Sequence, residues 1–384
     1  MDRPQIRQTS RTVWLNNQLA IPPSQEVKEA HALYSDPFSL APFSALRFLK
    51  EAEESIRKSI SPHLPEIFHF IPHYPHITRI LVAALLENHT HFQGRNHLIL
   101  PSHDQQFFID ALCRRHGLGA TYDWVTTTSE GRISEEQLIE TLTPKTLLFS
   151  MSAAHGLTGI IQPIELVLRI CKERKILLHL DISDILGRAP LPSELFEADI
   201  LTFSSAALGG IGHIGGIFLQ KPLERIFSSW FPPMPSGTLH LGTVAAMQIA
   251  CKERASALPL FALHTKKLKK SLLAHLQSVC PNLNILFSHG EHSLPNILVA
   301  AFPEVPAESL AFFLHQQEVY PGLGHERFQP LSQVLQNCGI SPFLCHSALH
   351  FSLTERNHED QFASLSQALG EGIQFLTPLT THAL

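Results

Sequence analysis

The stretch Asp199–Pro222, DILTFSSAALGGIGHIGGIFLQKP, sets Gly210, Gly212 and Gly215 in the G-x-G-x-x-G spacing of a dinucleotide-binding loop. In such a loop a strand precedes the glycines and a helix opens at the last one, its free N–H groups holding the phosphates. A carboxylate for the ribose follows about 20 residues on. Here Gly215-Gly216 runs into Ile217, Phe218 and Leu219, and Lys221-Pro222 ends the run. An apolar run closed by proline is a short strand, and no acidic residue stands at the ribose position. The spacing therefore predicts a glycine-rich hairpin, and the rest of the chain decides what the hairpin serves.

The chain has 384 residues, 44% hydrophobic and 16% charged, enough for two domains and a large core. The net charge of −5 gives no basic excess for a nucleic-acid partner. Lys266, Lys267, Lys269 and Lys270 fall on an amphipathic segment and read as a solvated helix face rather than a binding patch. Six cysteines lie without a C-x-x-C pair, the first residues hold no apolar leader, and no apolar run reaches membrane-spanning length. Free thiols, a cytoplasmic setting and no membrane partner are expected.

Strand-like and helix-like segments alternate over the first two-thirds. HLILP, TLLFSMS, ILLHLDIS and ADILTFS read as strands, and DQQFFIDALCRRHGL and IELVLRICKERK as helices. That alternation indicates an α/β unit around a mostly parallel sheet, with ligands expected at the strands' carboxyl ends. From about Leu258 a long helix, short strands and a final helix form a smaller α+β unit.

Several segments in order carry a resemblance. TGIIQPIELVLRICKERKILLHLDISDILGRAPL is similar to the central stretch of the cysteine desulfurases, class V members of the fold-type I pyridoxal-phosphate enzymes. DILTFSSAALGGIGHIGGIFL resembles their D-L-x-S-F-S-x-H-K-x-x-G-P-K-G-I-G-x-L, HLGTVAAMQIA their R-S-G-T-x-x-x-x-Q-I-V, and SLPNILVAAF and HSALHFSLTER two later segments. The similarity runs from about Trp14 to about Leu376. It implies the two-domain transferase fold, with a large domain over residues 13–257 and a small one over 258–384, residues 1–12 packing on the latter. It also implies pyridoxal 5'-phosphate as cofactor and a homodimer in which Thr243 reaches the neighbouring subunit's site.

Laid on the family's motifs, the chemistry is mostly missing. The cofactor lysine, which must be an amine, is Ala207, and the histidine before it is Ala206. Covalent cofactor binding is therefore not expected. The phosphate loop corresponds to Phe70–His76, with His73 at the threonine position, while Ser204 and Thr243 remain at two other phosphate positions. Asp181 matches the carboxylate for the pyridine nitrogen, His103 the ring-stacking imidazole, His155 the family's asparagine, and Asp184 its glutamine. Ala207, Asp181 and Ser204 are expected to line one cleft at the sheet's carboxyl edge. The catalytic cysteine loop corresponds to VYPGLGHERFQP, with His325 nearest the cysteine position, and the carboxylate-binding arginine is His350. Cys338 and Cys345 read as buried small residues rather than nucleophiles.

Three readings follow. The first is a non-catalytic homologue acting as scaffold or regulatory partner of an active desulfurase or a sulfur-acceptor protein in sulfur or iron–sulfur metabolism. The second is an active enzyme with a rearranged site. The third is a metal-binding protein in which His73, His103, His155, Asp181 and Asp184 converge on the former cofactor pocket.

Overall fold

The computed structural model describes residues 12–380 except 19, 37–38, 89–90, 114–118, 232–238, 288–289, 304 and 326. Twelve strands are described: β1 Val13–Trp14, β2 Ile67–Ile71, β3 His97–Pro101, β4 Thr121–Val125, β5 Thr146–Ser152, β6 Leu177–Asp181, β7 Ile200–Ser204, β8 Gly215–Leu219, β9 Asn284–Leu286, β10 Ile297–Ala301, β11 Val319–Tyr320 and β12 Ala348–Ser352. The large sheet has the order β2-β8-β7-β6-β5-β3-β4. From β7 to β4 all neighbours are parallel, and β8 runs antiparallel to both β2 and β7. Every residue of β3, β5 and β8 is buried. Helices cover both faces of such a sheet, so its strands read as unbroken apolar runs rather than alternating ones.

The glycine stretch is the predicted hairpin. β7 and β8 pair from Ile200↔Leu219 to Ser204↔Gly215, with one 3-10 turn at Ala206–Leu208 between them. Gly212 turns the chain at φ +80°, a conformation other residues rarely adopt. A Cβ on Gly215 would stand 2.3 Å from Tyr74 Cδ2 and 2.5 Å from the Phe203 carbonyl, so this glycine seats an aromatic ring.

One 39-residue helix, Leu241–Val279, runs unbroken across residues 257 and 258. Val244, Ala246 and Met247 on it belong to the core around the large sheet. Leu268, Leu272 and Leu276 belong to a second core under the antiparallel sheet β12-β10-β9. Val13 and Leu15 also lie in that second core, because β1 pairs in parallel with β11. The chain's described start thus packs on the smaller unit, and residues 1–11 lie outside the described residues. Among the described residues no helix is long and apolar enough to cross a membrane.

Candidate functional site

β6 ends on Asp181, which is buried at the sheet's carboxyl edge. Both of its oxygens already have protein donors. The Ser183 N–H donates to Oδ1 at 2.7 Å. The Tyr74 hydroxyl donates to Oδ2 at 2.5 Å, and Gln105 Nε2 reaches the same oxygen at 3.4 Å. Tyr74 lies in the segment expected to cradle a phosphate, and its ring packs over Gly215 into the space between hairpin and Asp181. Burial pushes the Asp181 carboxyl above its usual value, and the Tyr74 hydroxyl works against that rise. The Tyr74 phenol is itself held well above its ordinary value, by burial first and the neighbouring carboxylate second.

From Tyr74 the hydrogen bonds continue across the sheet. The hydroxyl meets Thr202 Oγ1 at 3.2 Å. Thr202 Oγ1 meets His179 Nε2 at 2.8 Å, and His179 Nδ1 meets Ser150 Oγ at 2.8 Å. On the other side Gln105 links Asp181 to Ser152, which donates to the buried Asp104 at 2.7 Å. Burial raises the Asp104 carboxyl to about 6.

A second group closes the site from the smaller unit. Arg327 donates to Asp184 Oδ1 at 2.5 Å and to the Gln18 carbonyl at 2.8 Å, with its guanidinium 4.5 Å from the Phe328 ring. Arg188 holds the same Oδ1 at 3.2 Å and also donates to the Ala207 carbonyl at 3.2 Å. Both members of the Arg188–Asp184 pair are almost fully buried. Phe328 is buried over Gly156, where a Cβ would lie 2.5 Å from its ring. Gln329 Nε2 donates to the carbonyls of Ser102 and Asp104 at 2.9 and 3.0 Å. The Gln106 N–H donates to the Arg327 carbonyl at 2.8 Å. The loop at the position of a mobile cysteine loop is thereby pinned at several consecutive residues.

His103 and His155 are buried side by side, ring centroids 5.3 Å apart. His155 Nε2 donates to the His103 carbonyl and its Nδ1 accepts the Thr158 N–H, which sets one neutral tautomer. Burial lowers both imidazoles to about 3. His350 is fully buried on β12, with Nδ1 2.8 Å from the Leu157 carbonyl and Nε2 2.9 Å from the Gln18 amide. Burial lowers it to about 4. A neutral imidazole donates only once, so with Nδ1 donating to Leu157 the Gln18 amide must turn its NH₂ toward Nε2. That turn also gives a partner to Gln18 Nε2, otherwise unbonded. Ser204 is partly exposed, and its N–H donates to Ser183 Oγ at 2.9 Å. His240 caps the long helix, its Nδ1 accepting the Thr243 N–H at 3.2 Å, and the Thr243 hydroxyl donates to the His240 carbonyl at 2.7 Å.

Two expectations are corrected. Ala207 does not line an open cleft; it is completely buried under Arg188. The five metal candidates do not converge either. His73 is exposed and sets its ring against His76 and His213, centroids 4.3 and 5.4 Å away, whereas His103 and His155 are buried together. Among the described residues no group of three or more His, Cys, Asp and Glu side chains is placed to hold a metal ion. Cys338 and Cys345 are buried in the small unit's packing, and burial raises the Cys338 thiol to about 11, away from the reactive thiolate. His325 is exposed on its loop at φ 74°. The sequence does not single out Tyr74 or Arg327; the one available signal is that FIPHYPH replaces the glycine and hydroxyl pattern of a phosphate loop with bulky residues.

Pyridoxal phosphate does not fit these residues as arranged. It would need a lysine where Ala207 is buried, and an oxygen of Asp181 that Tyr74 holds. It would also need space beside Asp181 that the Tyr74 ring and hydroxyl occupy.

A family model described as aminotransferase class-V matches residues 80–239. The mitochondrial cysteine desulfurase of Eremothecium gossypii is 25% identical over 301 residues, 74% of this chain and 59% of that protein's length. The cysteine desulfurase IscS of Buchnera aphidicola is 26% identical over 293 residues, 74% of this chain and 72% of that one. Among solved structures, a NifS-like protein superposes with a TM-score of 0.81 over 95% of this chain and 100% of its own, at 21% identity. The apo cysteine desulfurase of Thermococcus onnurineus NA1 gives 0.78 over 95% of each chain at 15% identity. At those identities the structural likeness speaks for the fold, the two-domain α/β transferase type.

Proposed function

We propose that this chain, which belongs to the cysteine desulfurase family of class-V aminotransferases, is a member released from catalysis that serves as a scaffold or regulatory partner in sulfur or iron–sulfur metabolism. One observation carries the reading. The Tyr74 hydroxyl occupies the carboxylate that would hold the cofactor ring, above a buried alanine at the lysine position. A site kept for chemistry leaves its reacting groups unpartnered toward the substrate. Here Tyr74 takes an oxygen of Asp181, Arg188 and Arg327 share one of Asp184, and the loop is tied down where a mobile thiol would be needed.

The partner we propose is an active desulfurase or a sulfur-acceptor protein, met by a homodimer in which Thr243 faces the neighbouring subunit. The setting we propose is cytoplasmic, with neither nucleic acid nor membrane as partner. The division into residues 13–257 and 258–384 belongs to the same proposal. The test is mixing: purified protein is added to an active cysteine desulfurase with its sulfur acceptor, and the sulfide or persulfide formed is measured. The reading expects a saturable change in the active enzyme's rate and no turnover by this protein alone. Turnover by this protein alone would support a rearranged active enzyme instead.

A further inference from the structure

A cleft of about 1150 Å³ lies beside the site described above and shares Arg188 with it. One wall comes from the loops that follow β5 and β6, through Ile161–Leu166 and Arg188–Pro192, at the carboxyl edge of the large sheet. The other wall is the middle of the helix Leu241–Val279, with Gly290–Pro295 and Leu298 of the smaller unit. Ligands in α/β sheets sit at that edge. The volume exceeds what an inorganic ion needs and reaches the upper range of organic-ligand sites, about 300–1,000 Å³.

The lining combines apolar surface with unspent positive charge. Leu166, Leu273 and Leu298 contribute the apolar part, and Arg132, Lys266, Lys269 and Lys270 the cations. Glu165 and Glu194 also border the cleft, and Glu194 accepts the Ser193 hydroxyl at 3.2 Å. Among the described residues no carboxylate lies within ion-pair distance of Lys269, whose ammonium has only the Leu294 carbonyl at 3.5 Å. Arg132 Nε is buried without a hydrogen-bond partner. Lys267, one residue from Lys266 on the same helix, instead pairs with Glu359 at 3.6 Å. The lysine run is therefore not one solvated face. Lys269 is partly buried against apolar walls, and that burial lowers its ammonium to about 8. An ammonium held in such surroundings without an anion is destabilised, and an anionic ligand supplies the missing partner.

We propose that this cleft is a binding site for a small organic anion, an apolar body ending in a carboxylate or a phosphate, whose head Lys269 and Arg132 hold. The proposal is independent of the reading of the cofactor pocket, because neither Ala207 nor Asp181 lines the cleft, and Arg188, common to both, is already held by Asp184 and the Ala207 carbonyl.

The probes are octanoate, octyl phosphate, octanol and inorganic phosphate, titrated by calorimetry into the full chain. Saturable binding is expected for octanoate or octyl phosphate, the tighter of the two naming the head group, and much weaker binding for octanol and for inorganic phosphate. Lys269→Gln should weaken the binding about tenfold, the scale of one charge-assisted hydrogen bond. Lys267→Gln, off the cleft, should leave it unchanged, with both variants matched to the parent by circular dichroism. Three results would each overturn the proposal. The first is no saturable binding of either anion, and the second is octanol binding as tightly as the anions. The third is Lys269→Gln and Lys267→Gln binding alike.

Discussion

Replacing Tyr74 with Phe removes one oxygen and leaves the ring seated against Gly215, so the variant isolates the Tyr74–Asp181 hydrogen bond. Asp181 Oδ2 then keeps only Gln105 Nε2 at 3.4 Å, and Thr202 and Ser183 each lose a neighbour at 3.2 and 3.4 Å. A hydrogen bond to a charged group contributes about 1.5–3 kcal/mol, and its buried acceptor is left short of a donor, so a loss of about 2 kcal/mol is expected at pH 8. The pH dependence follows from the carboxyl. Burial has already raised Asp181, and the Tyr74 bond opposes that rise. Without the bond the native variant holds its proton to higher pH than the parent. It therefore gains relative stability as pH falls, and the loss is complete only above the native pKa of Asp181. Urea denaturation at pH 8 and pH 5.5 reads both values. A loss under about 0.5 kcal/mol at pH 8, or one that grows on acidification, would refute the assignment of Tyr74 as the donor that occupies Asp181.

Arg327→Met should cost about 2–3 kcal/mol, because Asp184 keeps Arg188 but loses its second guanidinium; hydrogen exchange in the Val319–Pro330 loop should quicken, and unchanged exchange would contradict the pinning. The parent protein should lose stability as pH falls below about 6.5. Burial holds His103, His155 and His179 near 3 and His350 near 4, so the unfolded chain takes up protons that the native one refuses. Asp104, at about 6, acts in the opposite direction over the lower part of that window, as do Asp181 and Asp199, whose carboxyls burial also raises. Each of the four imidazoles withholds about 1 kcal/mol between pH 6.5 and 5.5, which outweighs the carboxyls and leaves a net loss, and a flat profile there would show these imidazoles to be solvated. Ala207→Lys alone should capture no pyridoxal phosphate after borohydride reduction, whereas Ala207→Lys with Tyr74→Gly should be labelled at position 207; mass spectrometry of the peptides decides, and labelling of the single variant would show that Tyr74 does not block the site.

Much of the fold was legible because its signals are local. The hairpin could be read from Pro222 closing an apolar run and from the missing helix after Gly215. The parallel strands could be read from unbroken runs such as TLLFSMS between helical periods. The long helix was seen only from about Leu258, although it begins at Leu241. Its first half packs on the large core and its second half on the small one, so no single apolar stripe marks it, and Pro259 interrupts the pattern. At the site, the losses at Ala207 and His350 were legible as substitutions in motifs. What fills the space was not. Tyr74 meets Asp181 across 107 residues and Arg327 meets Asp184 across 143, and no spacing in the chain encodes contacts that only tertiary packing creates. The lysine run shows the same limit, since only the fold separates the partly buried Lys269 from the ion-paired Lys267.

In this reading the pocket of a desulfurase fold has been filled by its own side chains. The most direct measurement is sulfide released from cysteine by the purified chain, with pyridoxal phosphate and a thiol reductant present, against a protein-free control. No release above the control is expected. Release that saturates with cysteine and is lost on replacing Cys338 or Cys345 would contradict it.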